Sequence, residues 1–510
     1  MKRDPGLDTS PHCFRSAHLC LLLVGFAASV LPLRKAQADT ILVPAEQPTI
    51  QAGIDAATPG DTVVVAPGSY SGVGNEDIDF GGKGIVLRAE QGPDVTTIQG
   101  PDADPFLEPD PRAFQFISGE TSAAVLEGFT IRDFHVLEPE VGLDGGGAIY
   151  IDQGAAPTIR ECAFLDNYFI DGTGGAISAW GGLIEDCTFV GNAADAWNDS
   201  GSGGAISLSN GTIRRCLIRA NWAAESQFGP GAGGGVSLGS GTSIEDCVIV
   251  ENVATHGGGV HVTAAGTGMP TEIWIAGTTI ASNESYGDGS QLYFASATPV
   301  SGQRLYLTTS VVWSTGDCGN SDVQTFEEFP GVARLTFLCS VVDRSSVAGP
   351  MQVVYDPHSI EDDPLFCEPR ICGDSGAGDY ALQPESPCLP DSSPCGALIG
   401  AIGEVCGASS LPETEHAIVG LLLEPPRPNP ARIEARFPLS LESATHVRAT
   451  IFDAGGRRVA GLTDGTMAAG FHELSWNLAD DAGRRVPTGV YNLQVVVPSG
   501  AGSVRLTVLE

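Results

Sequence analysis

The chain has 510 residues, with 62 acidic against 26 basic side chains and a formal net charge of −36. A field of that sign repels polyanions and excludes a general nucleic-acid binder. Glycine at 66 and proline at 34 argue against helical bundles and coiled coils, while 42% hydrophobic and only 17% charged residues exclude a disordered chain.

Residues 1–38 read as a signal peptide. Lys2, Arg3 and Arg15 precede an apolar run over 19–33, and Ala36-Gln37-Ala38 offers a small-x-small cleavage site. The run is short for a bilayer span. The expectation is bacterial-type export to the extracellular space or cell surface, with no membrane span after signal removal. Cys13 and Cys20 leave with the signal, and Lys83 is the only lysine that remains. So acidic a surface attracts divalent cations and avoids bare polyuronates unless a metal bridges the contact.

In residues 49–70, Ile50, Ile54 and Ala57 share one face of a short helix suited to covering the open end of a core, and residues 61–65 begin a strand. The chain then repeats itself. GGAIYI at 146 recurs as GGAISA at 174, GGAISL at 203, GGVSL at 234 and GGVHV at 258. A second register accompanies it: CAFLDN at 162–167, CTFVGN at 187–192, CLIRAN at 216–221, CVIVEN at 247–252 and TTIASN at 278–283. Steps of 25, 29, 31 and 31 residues between Cys162, Cys187, Cys216, Cys247 and Thr278 are too irregular for packed helical repeats. Alternating β-branched runs between glycine and asparagine turns describe short strands, one set per coil, stacked in register about 4.8 Å apart.

In such a solenoid, Asn167, Asn192, Asn221, Asn252 and Asn283 form a structural ladder. Asparagine tolerates the left-handed backbone of a sharp bend, and its amide can bond the amide one coil above. Cys162, Cys187, Cys216 and Cys247 form a buried column of small thiols in which Thr278 can substitute. The two close pairs of a zinc site are absent. These residues resemble the pectin-lyase-like right-handed parallel β-helix, as do the opening segment 49–70 and IVLRAEQGPDVTTIQG at 85–100. The resemblance extends to IEDDPLFCEPRICGDSGAGDYALQPESPCLPDSSPCGALIGAIG at 360–403, which is similar to the closing segment of such helices, and it covers residues 39–406. The last seven cysteines, Cys318, Cys339, Cys367, Cys372, Cys388, Cys395 and Cys406, fall in and around this loop-rich closing part, with Cys367–Cys372 and Cys388–Cys395 the nearest pairs in sequence. Seven is odd, so at least one thiol stays unpaired.

A Pro-rich linker, 407–427, leads to residues 428–510, where about seven alternating strands with Trp476 and Tyr491 inside indicate a small antiparallel β-sandwich. PNP, IFDAGGRRV, WNLADDAGRRVPTGVY and RLTVL resemble the Ig-like domain of flagellar hook-capping proteins and the sorting domains of type IX secretion. The resemblance implies a secretion, anchoring or spacing role and a secretion-machinery partner, with no catalysis. The fold class is therefore all-β, a right-handed parallel β-helix followed by a small Ig-like sandwich.

The stretches between each ladder asparagine and the next Gly-Gly read as loops stacked along one edge. They supply Asp171, Asp195, Asp199 and Glu225 beside Tyr168, Trp197, Trp222 and Phe228. Rings with carboxylates suit a sugar chain, and an extracellular polysaccharide or cell-surface glycan is the expected partner. The same acids could hold calcium, although no cofactor is required, or act as acid and base in a polysaccharide lyase or glycoside hydrolase. His256 and His261 flank three glycines, but the order differs from the Gly-His-Gly of polygalacturonases, whose Asn-Thr-Asp and Arg-Ile-Lys motifs are missing. Arg160, Arg214, Arg215 and Arg219 sit where outward strand positions hold solvated charges. The balance favours a binding or structural module over an enzyme.

Overall fold

The computed structural model describes residues 38–101, 111–136, 145–170, 172–195, 201–224, 230–264, 272–296, 302–316, 318, 321–329, 331–371, 377–403, 406, 421–423, 431, 434–441, 444–453, 458–468, 470–480, 483–487, 489–497 and 500–508. Short parallel strands wind into a solenoid. Sheet 1 has twelve strands, from Thr40–Val43 to Gln352–Tyr355. Sheet 2 has ten, from Gly68–Tyr70 to Val341–Val342, and sheet 3 has ten, from Ile78–Asp79 to Val347–Ala348. The coil has a fourth side along part of its length: sheet 4 has six strands, from His135–Val136 to Glu284–Asp288. One coil runs Thr158–Arg160, Ala163–Leu165, Tyr168–Ile170 and Ile177–Ala179 before Gly182–Glu185 rejoins sheet 1.

The registers turn distant repeats into vertical neighbours. Ile159, Ile184, Ile213, Ile244 and Ile275 stack inward in sheet 1, and Phe164, Phe189, Ile218, Ile249 and Ile280 in sheet 2. All ten are at most 1% exposed, and the Phe164 and Phe189 rings stack at 4.7 Å. The repeated Gly-Gly has a steric cause: a Cβ on Gly175 would collide with the Gly204 carbonyl of the next coil.

At the first coil, Thr49 caps the helix Ile50–Ala56 by accepting from the Ala52 amide at 3.2 Å. Ile50, Ile54 and Ala57 are buried, and Gly53 lets the helix approach Val43 and Val63, whose methyls lie 2.9 Å from where a Cβ would sit. The Lys83 ammonium donates to the Ile54 and Asp55 carbonyls near the helix C-terminus at 2.8 and 3.0 Å, where a cation is favoured.

Two hydrogen-bonded columns run up the solenoid. Each asparagine from Asn167 to Asn252 donates both its backbone and its side-chain amide to the Oδ1 of the next, at 2.9–3.1 Å. The ladder does not end at Asn283, which donates to Gln291 Oε1 at 3.1 and 2.9 Å. The left-handed backbone lies one residue earlier than expected: Asp166, Gly191, Ala220, Glu251 and Ser282 take φ of 53–71°. The asparagine serves the hydrogen bond, not the bend, because its own amide must aim along the axis.

The cysteine column likewise does more than fill space. The Cys216 amide donates to Cys247 Sγ at 3.4 Å, and the series continues from Cys247 to Thr278 Oγ1 and on through Ser310, Ser340 and Ser359. Burial pushes the Cys187 and Cys247 thiols up, so both stay protonated.

The closing segment lies along the flank of the solenoid. Phe366, Tyr380, Leu382, Leu389 and Ile399 pack on Leu217, Val248, Val250, Ala281, Val311 and Val341, outward residues of sheet 2. Glu251, 3% exposed, accepts from the Gly378 amide at 2.7 Å and the Tyr380 hydroxyl at 3.1 Å, with Arg219 at 3.6 Å and Arg370 at 3.9 Å. The pairings by nearness in sequence are overturned: Cys339 joins Cys395, Cys367 joins Cys406, Cys318 is also disulfide-bonded, and Cys388 is free. Docking on the flank brings cysteines 56 and 39 residues apart together, which sequence distance cannot register.

The C-terminal region forms two antiparallel sheets with their own core. Leu421–Leu423, Ala435–Leu441 and Gly470–Trp476 make one; Arg458–Met467, Thr445–Asp453, Gly489–Val497 and Gly500–Val508 make the other. Trp476 meets Tyr491 edge-on at 5.2 Å, and their polar tips reach the Ala479 and Pro487 carbonyls at 2.8 Å, so both aromatics are buried without an orphaned donor.

Candidate functional site

The edge expected to carry loops opens with the strands of sheet 4. Tyr168 begins Tyr168–Ile170, Asp195 ends Ala193–Asp195, and Trp222 begins Trp222–Ala223. In the outward column His135, Tyr168, Ala193 and Trp222 are successive vertical neighbours. The Tyr168 hydroxyl donates to Asp195 Oδ2 at 2.6 Å, His135 meets the Tyr168 ring edge-on at 6.0 Å, and Trp222 is 41% exposed. Asp171, Trp197, Asp199, Glu225 and Phe228 lie outside the described residues.

The histidines and arginines weighed from sequence have structural partners. His256 and His261 both stack on Tyr293, at 4.8 and 5.4 Å, and burial followed by the nearby His256 pushes the His261 imidazole down to about 4. On sheet 1, Arg88, Glu127, Arg160, Glu185, Arg214 and Glu245 alternate in sign from rung to rung. Arg160 pairs with Glu127 and Arg214 with Glu185, each at 2.5 Å, while Arg215 bridges Glu185 and Asp186. Arg219 faces Glu251. Cations so engaged are poor candidates for a free catalytic base.

Sheet 1 carries a second surface that the repeat registers do not reveal. Along the strands Glu272–Ala276 and Gln303–Thr308, Trp274 and Tyr306 are register partners whose rings stack at 4.3 Å, and Trp274 is 39% exposed. Two residues earlier in each strand the outward column reads Glu272, Arg304, Arg334 and Gln352. Arg304 donates to the Gln303 carbonyl at 2.9 Å and Arg334 to Gln352 Oε1 at 3.0 Å; among the described residues neither has a carboxylate within ion-pair distance. On a chain of charge −36, two adjacent cations that make no ion pair among the described residues, beside a projecting pair of rings, are an exception. The signal is present in the sequence as alternation, EIWIA followed by QRLYLT, but these strands fall largely outside the Gly-Gly and Cys–Asn registers of the repeat. Among the described residues no three carboxylate, imidazole or thiol groups converge closely enough to hold a metal ion, and no helix is long and apolar enough to cross a membrane.

Residues 116–303 match the family profile of the right-handed beta helix region, and residues 433–501 that of the FlgD Ig-like domain. The chain joins a right-handed parallel β-helix to a FlgD-type Ig-like domain. Among solved structures, the β-helix protein is similar to pectate lyase Pel9A, with 13% identity over 70% of this chain and 91% of that one and a TM-score of 0.33. A PL6-family alginate lyase, AlyGC, shows 10% identity over 62% of this chain and 74% of that one, with a TM-score of 0.24. Dimeric latent PorU from Porphyromonas gingivalis shows 24% identity over 18% of this chain and 9% of PorU, with a TM-score of 0.15. Likeness at these levels concerns fold alone. No curated protein matches the chain significantly.

Proposed function

We propose that this is an exported binding module whose β-helix holds an acidic polysaccharide or cell-surface glycan across sheet 1. The observation that carries the reading is the Trp274–Tyr306 ring pair beside Arg304 and Arg334. Sugar faces stack on rings, and guanidinium groups recognise carboxylates in a planar, two-pronged geometry. The overall acidity does not forbid it. At physiological ionic strength charges beyond about 8 Å are largely screened, so the local cations decide contact while the distant acids only slow approach. Sheet 4, with Tyr168, Asp195 and Trp222, is a flanking contact surface in this reading, and calcium is a candidate bridge between the acidic surface and an acidic glycan. The domain division follows as proposed from sequence: signal peptide 1–38, β-helix to 406, linker 407–427, and a C-terminal domain from 428 that serves secretion, anchoring or spacing.

The test is titration of the mature protein with polyuronates and neutral glycans, with and without calcium, while new reducing or unsaturated ends are assayed. Retention of a polyuronate, weakened at least about tenfold (~1.4 kcal/mol) by Trp274→Ala and by Arg304→Ala with Arg334→Ala, is expected. Sustained release of unsaturated or reducing ends would replace the binding module with a polysaccharide lyase or hydrolase.

A further inference from the structure

The Asn ladder ends in a polar cleft of a different character. Gln291, which caps the ladder, donates through Nε2 to Ser314 Oγ at 3.0 Å and Ser290 Oγ at 3.1 Å. Ser314 in turn donates to Asp322 Oδ1. Asp322, 6% exposed, also accepts from Ser290 at 3.3 Å and from Ser346 at 2.9 Å. This carboxylate therefore gathers hydroxyl groups from three separate stretches of chain. It lines a recess of about 250 Å³ with Trp313, Ser314 and Asp343. A second recess of about 330 Å³ shares Trp313 and Ser314 and is completed from the closing segment by Asp363, Phe366 and Gln383.

We infer that the paired recesses around Trp313 form a second saccharide site, specific for a neutral sugar unit or the neutral end of a glycan chain. The inference extends the glycan-binding reading to a separate place on the molecule. Size limits the occupant: recesses of about 250 and 330 Å³ lie close to the lower bound of ligand sites, about 300 Å³, which suits single sugar rings better than a polymer segment. Charge limits it further, because Asp322, Asp343 and Asp363 oppose an anion. Chemistry fits as well: a sugar hydroxyl offers Asp322 the same O–H donor that serines already supply, so exchange costs little, and Trp313, which lines both recesses, supplies apolar surface for the ring. Burial raises the Asp322 carboxyl above its usual range, the environment of a group surrounded by hydroxyls and not by counter-charges.

The experiment is calorimetric titration of the full mature chain with galactose, glucose, mannose, N-acetylglucosamine and cellobiose, with galacturonate as the charged control and EDTA as a second arm. At least one neutral sugar is expected to saturate the protein, with affinity lowered at least tenfold by Trp313→Ser and by the near-isosteric Asp322→Asn. The inference is overturned if no neutral sugar saturates, if Trp313→Ser or Asp322→Asn binds as the parent does, if galacturonate binds more tightly, or if EDTA abolishes binding. Polyuronate retention by the parent, weakened in Trp274→Ala, reports separately on the sheet 1 reading.

Discussion

At the scale of single residues, the solenoid is held by side chains that satisfy the backbone of the next coil. Asn221 is 1% exposed and makes six hydrogen bonds of 2.9–3.1 Å, to Asn252, Phe189, Arg219 and Asn192. Asn221→Ala removes an acceptor for two Asn192 donors and strands buried groups at about 1–3 kcal/mol each. Denaturant unfolding is expected to show a loss of about 3 kcal/mol or more, against under about 1.5 kcal/mol for Cys216→Ser, which keeps a donor and acceptor in the column. His261 gives a pH signature. Its folded-state pKa is near 4 against an ordinary 6.5, so the unfolded chain takes up a proton first. Stability should therefore fall as pH is lowered from 6.5 toward 4 and level off below. The shift is worth at most about 3 kcal/mol, less the discount for a ring only partly covered. His261→Gln should flatten that window in unfolding curves measured across it. At this scale the sequence exposed the Asn and Cys registers directly, since identity repeats at a fixed phase. It hid the continuation through Gln291, Ser310 and Ser340, because a changed residue type keeps the hydrogen bond while erasing the pattern.

At the scale of elements, periodicity located strands and the capping helix but could not say how many sides a coil has. Tyr168–Ile170 and Ala193–Asp195 look like loop starts because each is only three residues long, too short for alternation to rise above chance. The closing segment was recognisable as an element and its docking was not, since the contact joins Glu251 to Gly378 across 127 residues. Glu251 is the latch. Glu251→Ala takes the carboxylate from beside Arg219, leaves Arg370 with Glu284 at 3.6 Å, and removes the acceptor of the Gly378 amide. Limited proteolysis should then cut the 360–403 stretch faster, while hydrogen exchange in the strands of sheet 3 stays at the parent level. Equal acceleration in both places would show that Glu251 supports the solenoid as a whole.

At the scale of the molecule, a charge of −36 makes the Arg304–Arg334 patch conspicuous and gives recognition its ionic-strength dependence. Affinity for a polyuronate should rise as salt is lowered from physiological levels, until repulsion from the remaining acids reverses the trend. The β-helix and the Ig-like domain were legible as a whole from repeats and strand spacing. The binding surface was not, because it depends on which outward residues become vertical neighbours: Trp274 and Tyr306 are 32 positions apart in a stretch where the Gly-Gly register has lapsed. The most direct measurement is hydrogen–deuterium exchange of the mature protein with and without saturating polyuronate. Protection is expected along Glu272–Ala276, Gln303–Thr308 and Ala333–Leu338 and lost in Arg304→Ala with Arg334→Ala; protection confined to sheet 4 or the Ig-like domain, or none at saturation, would contradict the assignment.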